Sequence, residues 1–226
     1  MAGRLLQEIL PGFFVLRRDG VHEGVLTYAR DKRSGRVVFR SGIRVLSYHL
    51  AHALTQHRYR PKPCMVETPL EQTSGMQFSK PKALIRIERA GRGMAGAFRD
   101  YFPGTPIRRM GLKRDERAGI ASLIWSDDLS LLLGDPKRGH VEDIVFLDIM
   151  FAGGSTIVTG FDYVVSLGED SRHLVFACIL ATPEGVAALR RRYPQVSIYA
   201  AVLDRCIDEK KMIRPGFGDA GDRWCG

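Results

Sequence analysis

The residues best spaced for chemistry in this chain are Asp148, Gly153, Gly154, Ser155 and Thr156. Asp148 ends the unbroken apolar run Ile144-Val145-Phe146-Leu147. Two glycines and two hydroxyls then precede a helical pattern through Ile157, Phe161, Val164 and Val165. Strand, glycine turn and helix in that order put free N–H groups and a positive dipole end at the carboxyl end of a strand, which suits a phosphate. A turn shaped by glycine for steric reasons alone would read the same way. The second candidate is Glu88-Arg89-Ala90-Gly91-Arg92-Gly93-Met94, where a strand runs into a turn that mixes arginines with glycines. Backbone N–H groups in such turns form anion-binding nests, and glycine lets the chain approach a ligand closely. His49 and His52 have the spacing to share a metal on one helix face. No third ligand accompanies them, so they are expected to be structural.

These groups need a scaffold, and the apolar pattern supplies one. Phe39, Ile43, Leu46, Leu50 and Leu54 recur at helical spacing. Ala83–Ile87, Ile107–Leu112, the run from Ile144, Leu174–Ala181 and Val196–Val202 read as buried strands. Helices are expected after the arginine turn (Met94, Ala97, Phe98, Tyr101), after the glycine turn, and from Pro183 to Arg192. Strands alternating with helices from residue 83 onward predict a parallel sheet of the doubly wound type. Val66–Leu70 and the polar Glu71-Gln72-Thr73-Ser74-Gly75 turn suggest an edge hairpin. The polar stretch to about His140, with a turn at Gly134-Asp135-Pro136, suggests a projecting β-arm. The tail from Met212 is read as a shaped loop, and RLLQEILPGFFVLRR at the N-terminus as a short amphipathic segment, since Glu8 and Pro11 interrupt any signal-peptide pattern.

Composition narrows the partners. Thirty-four basic against 25 acidic residues give 34 − 25 = +9, which suits an anion but leaves nucleic acid, membrane surface and phosphorylated metabolite open. No apolar run approaches the roughly 20 residues of a bilayer span. Cys64, Cys178, Cys206 and Cys225 are scattered and form no Cys-x-x-Cys pair, so neither a zinc framework nor a disulfide scaffold is indicated. Reduced thiols in a cytoplasmic protein are expected.

From about residue 22 onward the chain resembles the uracil phosphoribosyltransferase family. PGFGDAGDR (Pro215–Arg223) is similar to the family's PGLGDAGDR, RAGRGM (Arg89–Met94) to RAGLGM, GLKRDE (Gly111–Glu116) to GLYRDE, and IYAAVLD (Ile198–Asp204) to IYTAAID; VETPL (Val66–Leu70) is also shared. All five follow the family's order. The resemblance implies a type I phosphoribosyltransferase fold: a parallel sheet flanked by helices, a β-arm over residues 113–140, and a hood formed by an N-terminal segment (1–35) and a uracil-binding loop (205–226), all within one domain. It implies transfer of ribose 5-phosphate from phosphoribosyl pyrophosphate to uracil, with Mg²⁺ held by the pyrophosphate and not directly by the protein. Arg89 and Arg114 would contact the diphosphate. Asp148, Ile149, Met150, Phe151, Ala152, Gly153, Gly154, Ser155 and Thr156 would hold the ribose 5-phosphate. Ile213, Gly218, Asp219 and Ala220 would cradle uracil, with Asp219 also reaching the donor. A homodimer or homotetramer, a GTP effector, a cytoplasmic location and no membrane or nucleic-acid partner are further expectations. Arg114 also has a plainer reading, as a surface ion pair with Asp115 or Glu116.

The phosphate loop departs from the family's DPMLATGGS, reading DIMFAGGST. Aligned without a gap, Gly153 stands at the threonine, Ser155 at a glycine and Thr156 at the serine; with a one-residue deletion the glycines align and the threonine is missing. Either way a hydroxyl is lost or moved, and a hydrogen bond to a charged group is worth about 1.5–3 kcal/mol. Ser155 is expected to crowd a backbone suited to glycine. Ile149 for proline, Lys113 for tyrosine and Arg214 for valine are further departures. They keep a second expectation in view, a nucleotide-binding family member with weak or no catalysis that regulates or scaffolds a partner. A third, an RNA-binding regulator, rests only on the positive charge.

Overall fold

The computed structural model of the chain describes residues 5–114, 120–130 and 139–225, of residue 114 only the backbone. A hairpin, β1 (Leu6–Leu10) and β2 (Phe13–Leu16), is the form taken by the amphipathic N-terminal segment, whose secondary structure its sequence left unassigned. Pro11-Gly12 makes the turn, with Gly12 in the left-handed region at φ +77° and its N–H donating to Glu8 Oε1 at 2.8 Å. Leu5-Leu6 and Ile9-Leu10 mimic helical spacing, but Phe13 and Val15 alternate with Leu16 across the sheet.

Two helices follow, α1 (Gly20–Arg30), capped by Asp19, and α2 (Arg36–Arg58). The five apolar positions spaced along α2 are all fully buried. The edge hairpin forms from β3 (Lys62–Glu67) and β4 (Gln72–Gln77), a separate two-stranded sheet. The core is then laid down as β5 (Lys80–Glu88), α3 (Arg92–Tyr101), β6 (Ile107–Arg114), β7 (Ala121–Ser126), β8 (His140–Phe151), α4 (Ser155–Ser166), β9 (Leu174–Ala181), α5 (Pro183–Arg192) and β10 (Ser197–Leu203). Of the projecting arm, β6 and β7 pair antiparallel, whereas residues 115–119 and 131–138, including Asp115, Glu116 and the Gly134-Asp135-Pro136 turn, lie outside the described residues.

The main sheet runs β1-β2-β10-β9-β8-β5-β6-β7, parallel from β2 to β6 and antiparallel at both edges. Its inner strands are buried on both faces, as a continuous apolar run requires. Along β8, Val145, Leu147 and Ile149 face α1–α3, while Ile144 and Phe146 face α4 and α5. From β5 the chain moves outward to β6; from β8 it moves the opposite way to β9 and β10. The topological switch therefore lies between β5 and β8, and the crevice at their carboxyl ends is where such sheets bind ligands.

Candidate active site

The turn after β8 is neutral and tightly packed. The strand continues past Asp148 to Phe151, so Asp148, Ile149 and Met150 are strand residues and not the start of the turn. Gly154 is the N-cap of α4 with φ +86°, and no side chain caps this end. The N–H groups of Ser155, Thr156 and Ile157 thus stand at an open helix N-terminus, and Val158 makes the first helical bond, to Gly154 O. A Cβ at Gly154 would lie 2.9 Å from Ala188 Cβ and 3.1 Å from Gly185 O. The loop is held from behind: Thr182 Oγ1 donates to Ala152 O at 2.8 Å and accepts from Gly185 N at 3.1 Å. Ser155 is already helical and has no positive φ, so the side chain that replaces a family glycine costs no backbone strain. The motive for an inactive protein weakens accordingly.

Asp148 is buried, and burial pushes its carboxyl up to about 7, against hydrogen bonds from the Ile149 and Met150 N–H groups. It sits beside Cys178 on β9, whose thiol burial also pushes up.

The turn after β5 is charged and open. Gly91 carries the close approach there: a Cβ would stand 2.3 Å from Leu147 O and 2.7 Å from Ile87 O. The Arg89 side chain is 66% exposed, with Asp222 Oδ1 3.7 Å away.

The tail is not a bare loop. It forms β11 (Cys206–Ile207) paired with β12 (Ile213–Arg214), then α6 (Ala220–Cys225), where Asp219 Oδ1 accepts the Asp222 N–H at 2.9 Å. Elements this short, among glycines, carry no readable period. Asp204 anchors the tail, accepting from Arg30 Nη2 at 2.5 Å and from Gly216 N at 2.9 Å. Arg223 donates to Ala29 O, Phe217 O and Asp31 O and lies 4.2 Å over the Phe39 ring. Trp224 O accepts from Arg40, and the indole leaves Gly93 no room for a side chain.

Two cavities open at the switch point and share Asp148, Met150 and Thr156. One, of about 180 Å³, is lined by Met150 through Ile157 together with Lys211, Met212, Ile213 and Gly218. The other, of about 520 Å³, lies between the Arg89 turn and the β6–β7 hairpin, where Gly111, Leu112, Ile124 and Trp125 form its wall. The expected residues are thus divided. Asp148, Met150–Thr156, Ile213 and Gly218 meet in the smaller cavity and Arg89 lines the larger. Ile149 and Ala220 are fully buried in the apolar layer beneath and line neither. Asp219 is exposed at the α6 cap, and the Arg114 side chain lies outside the described residues. His22 and His49 stack loosely at 6.3 Å, and His52 tilts against Tyr101. Among the described residues, no three His, Cys, Asp or Glu side chains group as a metal site. Sequence reasoning missed Thr182, Arg30, Trp125, Lys211 and Met212; Asp204 and Arg223 lay inside recognised motifs without a role.

An open parallel sheet with an uncapped helix N-terminus at its switch point, beside an arginine turn, belongs to the doubly wound α/β class that binds phosphorylated ligands at the carboxyl ends of its strands. Solved structures agree on the fold. The chain is similar to adenine phosphoribosyltransferase of Trypanosoma brucei in complex with AMP, pyrophosphate and ribose-5-phosphate (TM-score 0.57, 13% identity, 88% of this chain and 86% of that one). It is also similar to the AQ2163 protein of Aquifex aeolicus (TM-score 0.76, 22% identity, 94% and 97%). Sequence then narrows the class. The uracil phosphoribosyltransferase family model matches residues 18–226, a few residues earlier than the motifs alone reach. Uracil phosphoribosyltransferase of Polaromonas naphthalenivorans is 36% identical over 88% of this chain and 90% of its own, and that of Salinibacter ruber 38% over 70% and 71%. The chain belongs to the uracil phosphoribosyltransferase family.

Proposed function

We propose that this protein transfers ribose 5-phosphate from phosphoribosyl pyrophosphate to uracil, giving UMP and pyrophosphate. The observation that carries the reading is that a neutral glycine turn and a charged arginine turn open onto one crevice, whose two cavities share Asp148, Met150 and Thr156. The bond from the anomeric carbon to the diphosphate oxygen breaks, the bond to uracil N1 forms, and the N1 proton leaves. The chain's work is to hold the two reactants in line and to stabilise the charge that collects on the leaving group.

The helix α4 N-terminus with Gly153, Gly154, Ser155 and Thr156 holds the 5-phosphate, and Asp148 faces the ribose. Arg89, with Arg114 from the end of β6, takes the diphosphate. Two charges about 4 Å apart interact by roughly 1 kcal/mol in water and roughly 4 kcal/mol at an effective dielectric near 20. An exposed arginine therefore gains strength where bound substrate displaces water from around it. Ile213 and Gly218 offer backbone groups to uracil, Asp219 and Ala220 fix the tail that presents them, and Ile149 acts from the layer beneath.

Mg²⁺ suits this donor set as a passenger on the diphosphate. Asp219 and Asp222 are the exposed carboxylates beside Arg89, and Mg²⁺ typically takes one or two carboxylates with substrate phosphates and waters. It would supply neutralisation of the leaving diphosphate. A homodimer or homotetramer is supported by the β3–β4 hairpin. A lone two-stranded sheet is marginal in water, and this one exposes Met65, Val66, Leu70 and Met76. A cytoplasmic setting is supported by four unpaired thiols, and no described helix is long and apolar enough to cross a membrane. GTP as an effector rests on family likeness, and a GTP titration of the initial rate tests it. For the function itself, UMP is expected when the protein meets uracil, phosphoribosyl pyrophosphate and Mg²⁺. No UMP at high donor concentration sinks the reading.

A further inference from the structure

Lys211 occupies the left-handed region, at φ +58°, the only non-glycine residue to do so among the described residues. It sits in the turn between β11 and β12, its N–H donating to Asp208 O at 2.8 Å. The turn is tightly specified: Asp208 N donates to Met212 O, Met212 N donates back to Asp208 Oδ1 at 2.9 Å, and Arg214 Nε donates to Asp208 Oδ2 at 2.7 Å. Glycine adopts this conformation without penalty and lysine does not. A side chain kept where glycine would be easier points to work done by that side chain.

The surroundings indicate the work. Lys211 lines the smaller cavity together with Ala152–Thr156, and among the described residues it is the only cationic residue to do so. The loop itself brings only backbone N–H groups and two hydroxyls. A helix N-terminus contributes roughly half a positive charge, whereas a phosphate monoester carries about −1.5 to −2 at neutral pH. In the ungapped alignment Gly153 also stands where the family pattern carries a threonine hydroxyl.

We infer that Lys211 is a binding residue of the 5-phosphate subsite, supplying from the tail the positive charge that the loop after β8 lacks. This rests on the proposed function and adds a residue to it. It also makes the tail a two-handed element, with uracil held through Ile213 and Gly218 and the phosphate through Lys211.

Lys211→Gly separates the role from folding, because glycine suits the backbone there. Binding of UMP, uridine and ribose 5-phosphate is measured by calorimetry on wild type, Lys211→Gly and Lys211→Arg, alongside thermal unfolding. Lys211→Gly is expected to unfold no earlier than wild type and to bind UMP and ribose 5-phosphate roughly ten- to a hundred-fold more weakly, the usual loss for a hydrogen bond to a charged group. Uridine, which has no phosphate, should bind equally to both, and Lys211→Arg should keep most of the UMP affinity. Unchanged UMP binding by Lys211→Gly, or an equal loss for uridine and UMP, overturns the inference and leaves the proposed function standing. Wild type that binds neither UMP nor ribose 5-phosphate overturns both.

Discussion

The turns after β5 and β8 lie side by side at the switch point, yet they are built in opposite ways. The turn after β8 is neutral, buttressed by Thr182 and Gly185, and surrounds a buried carboxylate. The turn after β5 carries an exposed arginine and places Arg89 3.7 Å from a carboxylate carried by the tail. In the proposed reaction the 5-phosphate stays bound from substrate to product, whereas pyrophosphate must leave. A preorganised amide cradle suits the group that stays. An exposed, solvent-screened arginine suits the one that must be grasped and released.

The contrast can be broken at the backbone first. Gly91→Ala sets a Cβ against three backbone atoms at 2.3–2.9 Å, so a loss of about 4 kcal/mol or more is expected in denaturant unfolding. A fall under about 1 kcal/mol would mean that this turn is as yielding in its backbone as in its side chains. Next comes Asp148. Its folded carboxyl is pushed by burial to about 7 from an ordinary value of 3.8, so the fold holds the proton more tightly than the unfolded chain does. Stability from this group is fully present below about pH 4 and is lost as pH rises through about 7, a change on the order of 4 kcal/mol at 1.36 kcal/mol per pKa unit. Asp148→Asn should flatten that slope and raise the stability of the ligand-free protein at pH 8. An unchanged pH profile would show the carboxylate to be hydrated.

Smaller effects sharpen the division of labour. Arg89→Ala should alter stability by no more than about 0.5 kcal/mol, as an exposed side chain, yet lower kcat/KM for phosphoribosyl pyrophosphate by roughly ten- to a hundred-fold. UMP affinity should hardly change, since UMP has no diphosphate. A parallel loss of UMP binding would merge the two turns into one subsite. Last, Gly153→Thr restores a hydroxyl at a position outside the left-handed region. Donor affinity should improve by up to about ten-fold, one hydrogen bond's worth. No gain would indicate that Ser155, Thr156 and Lys211 already complete the subsite.

Much of this was legible before the structure. The inner strands and the long helix were readable because continuous apolar runs and strict helical spacing have few competing interpretations: β9 and α5 fall at the residues expected. The N-terminal hairpin was read only as an amphipathic segment because five- and four-residue strands leave too few alternations to fix a period. The tail was misread because its order comes from distant anchors, Arg30 to Asp204 and Arg223 to Ala29 and Asp31. At the site, the arginine turn and the glycine turn announce themselves by residue type. Thr182 does not, since its partner carbonyl at Ala152 is remote in sequence. Lys211 does not either, since beside Lys210 it reads as a solvated pair until its φ and its cavity are seen.

The pairing of β2 with β10 joins Phe13 to Ile198 and Val15 to Ala200, the first part of the sheet to its last long strand. Closing so long a loop costs entropy before any contact rewards it, and sheets completed this way form late. On a ribosome the opening hairpin must therefore wait through nearly the whole synthesis of the chain, its partnered edge bare until residues 197–203 emerge. The segment that then follows from the exit tunnel carries Asp204, Lys211, Ile213 and Gly218, so the tail's wall of the smaller cavity is the last part of the crevice to be made.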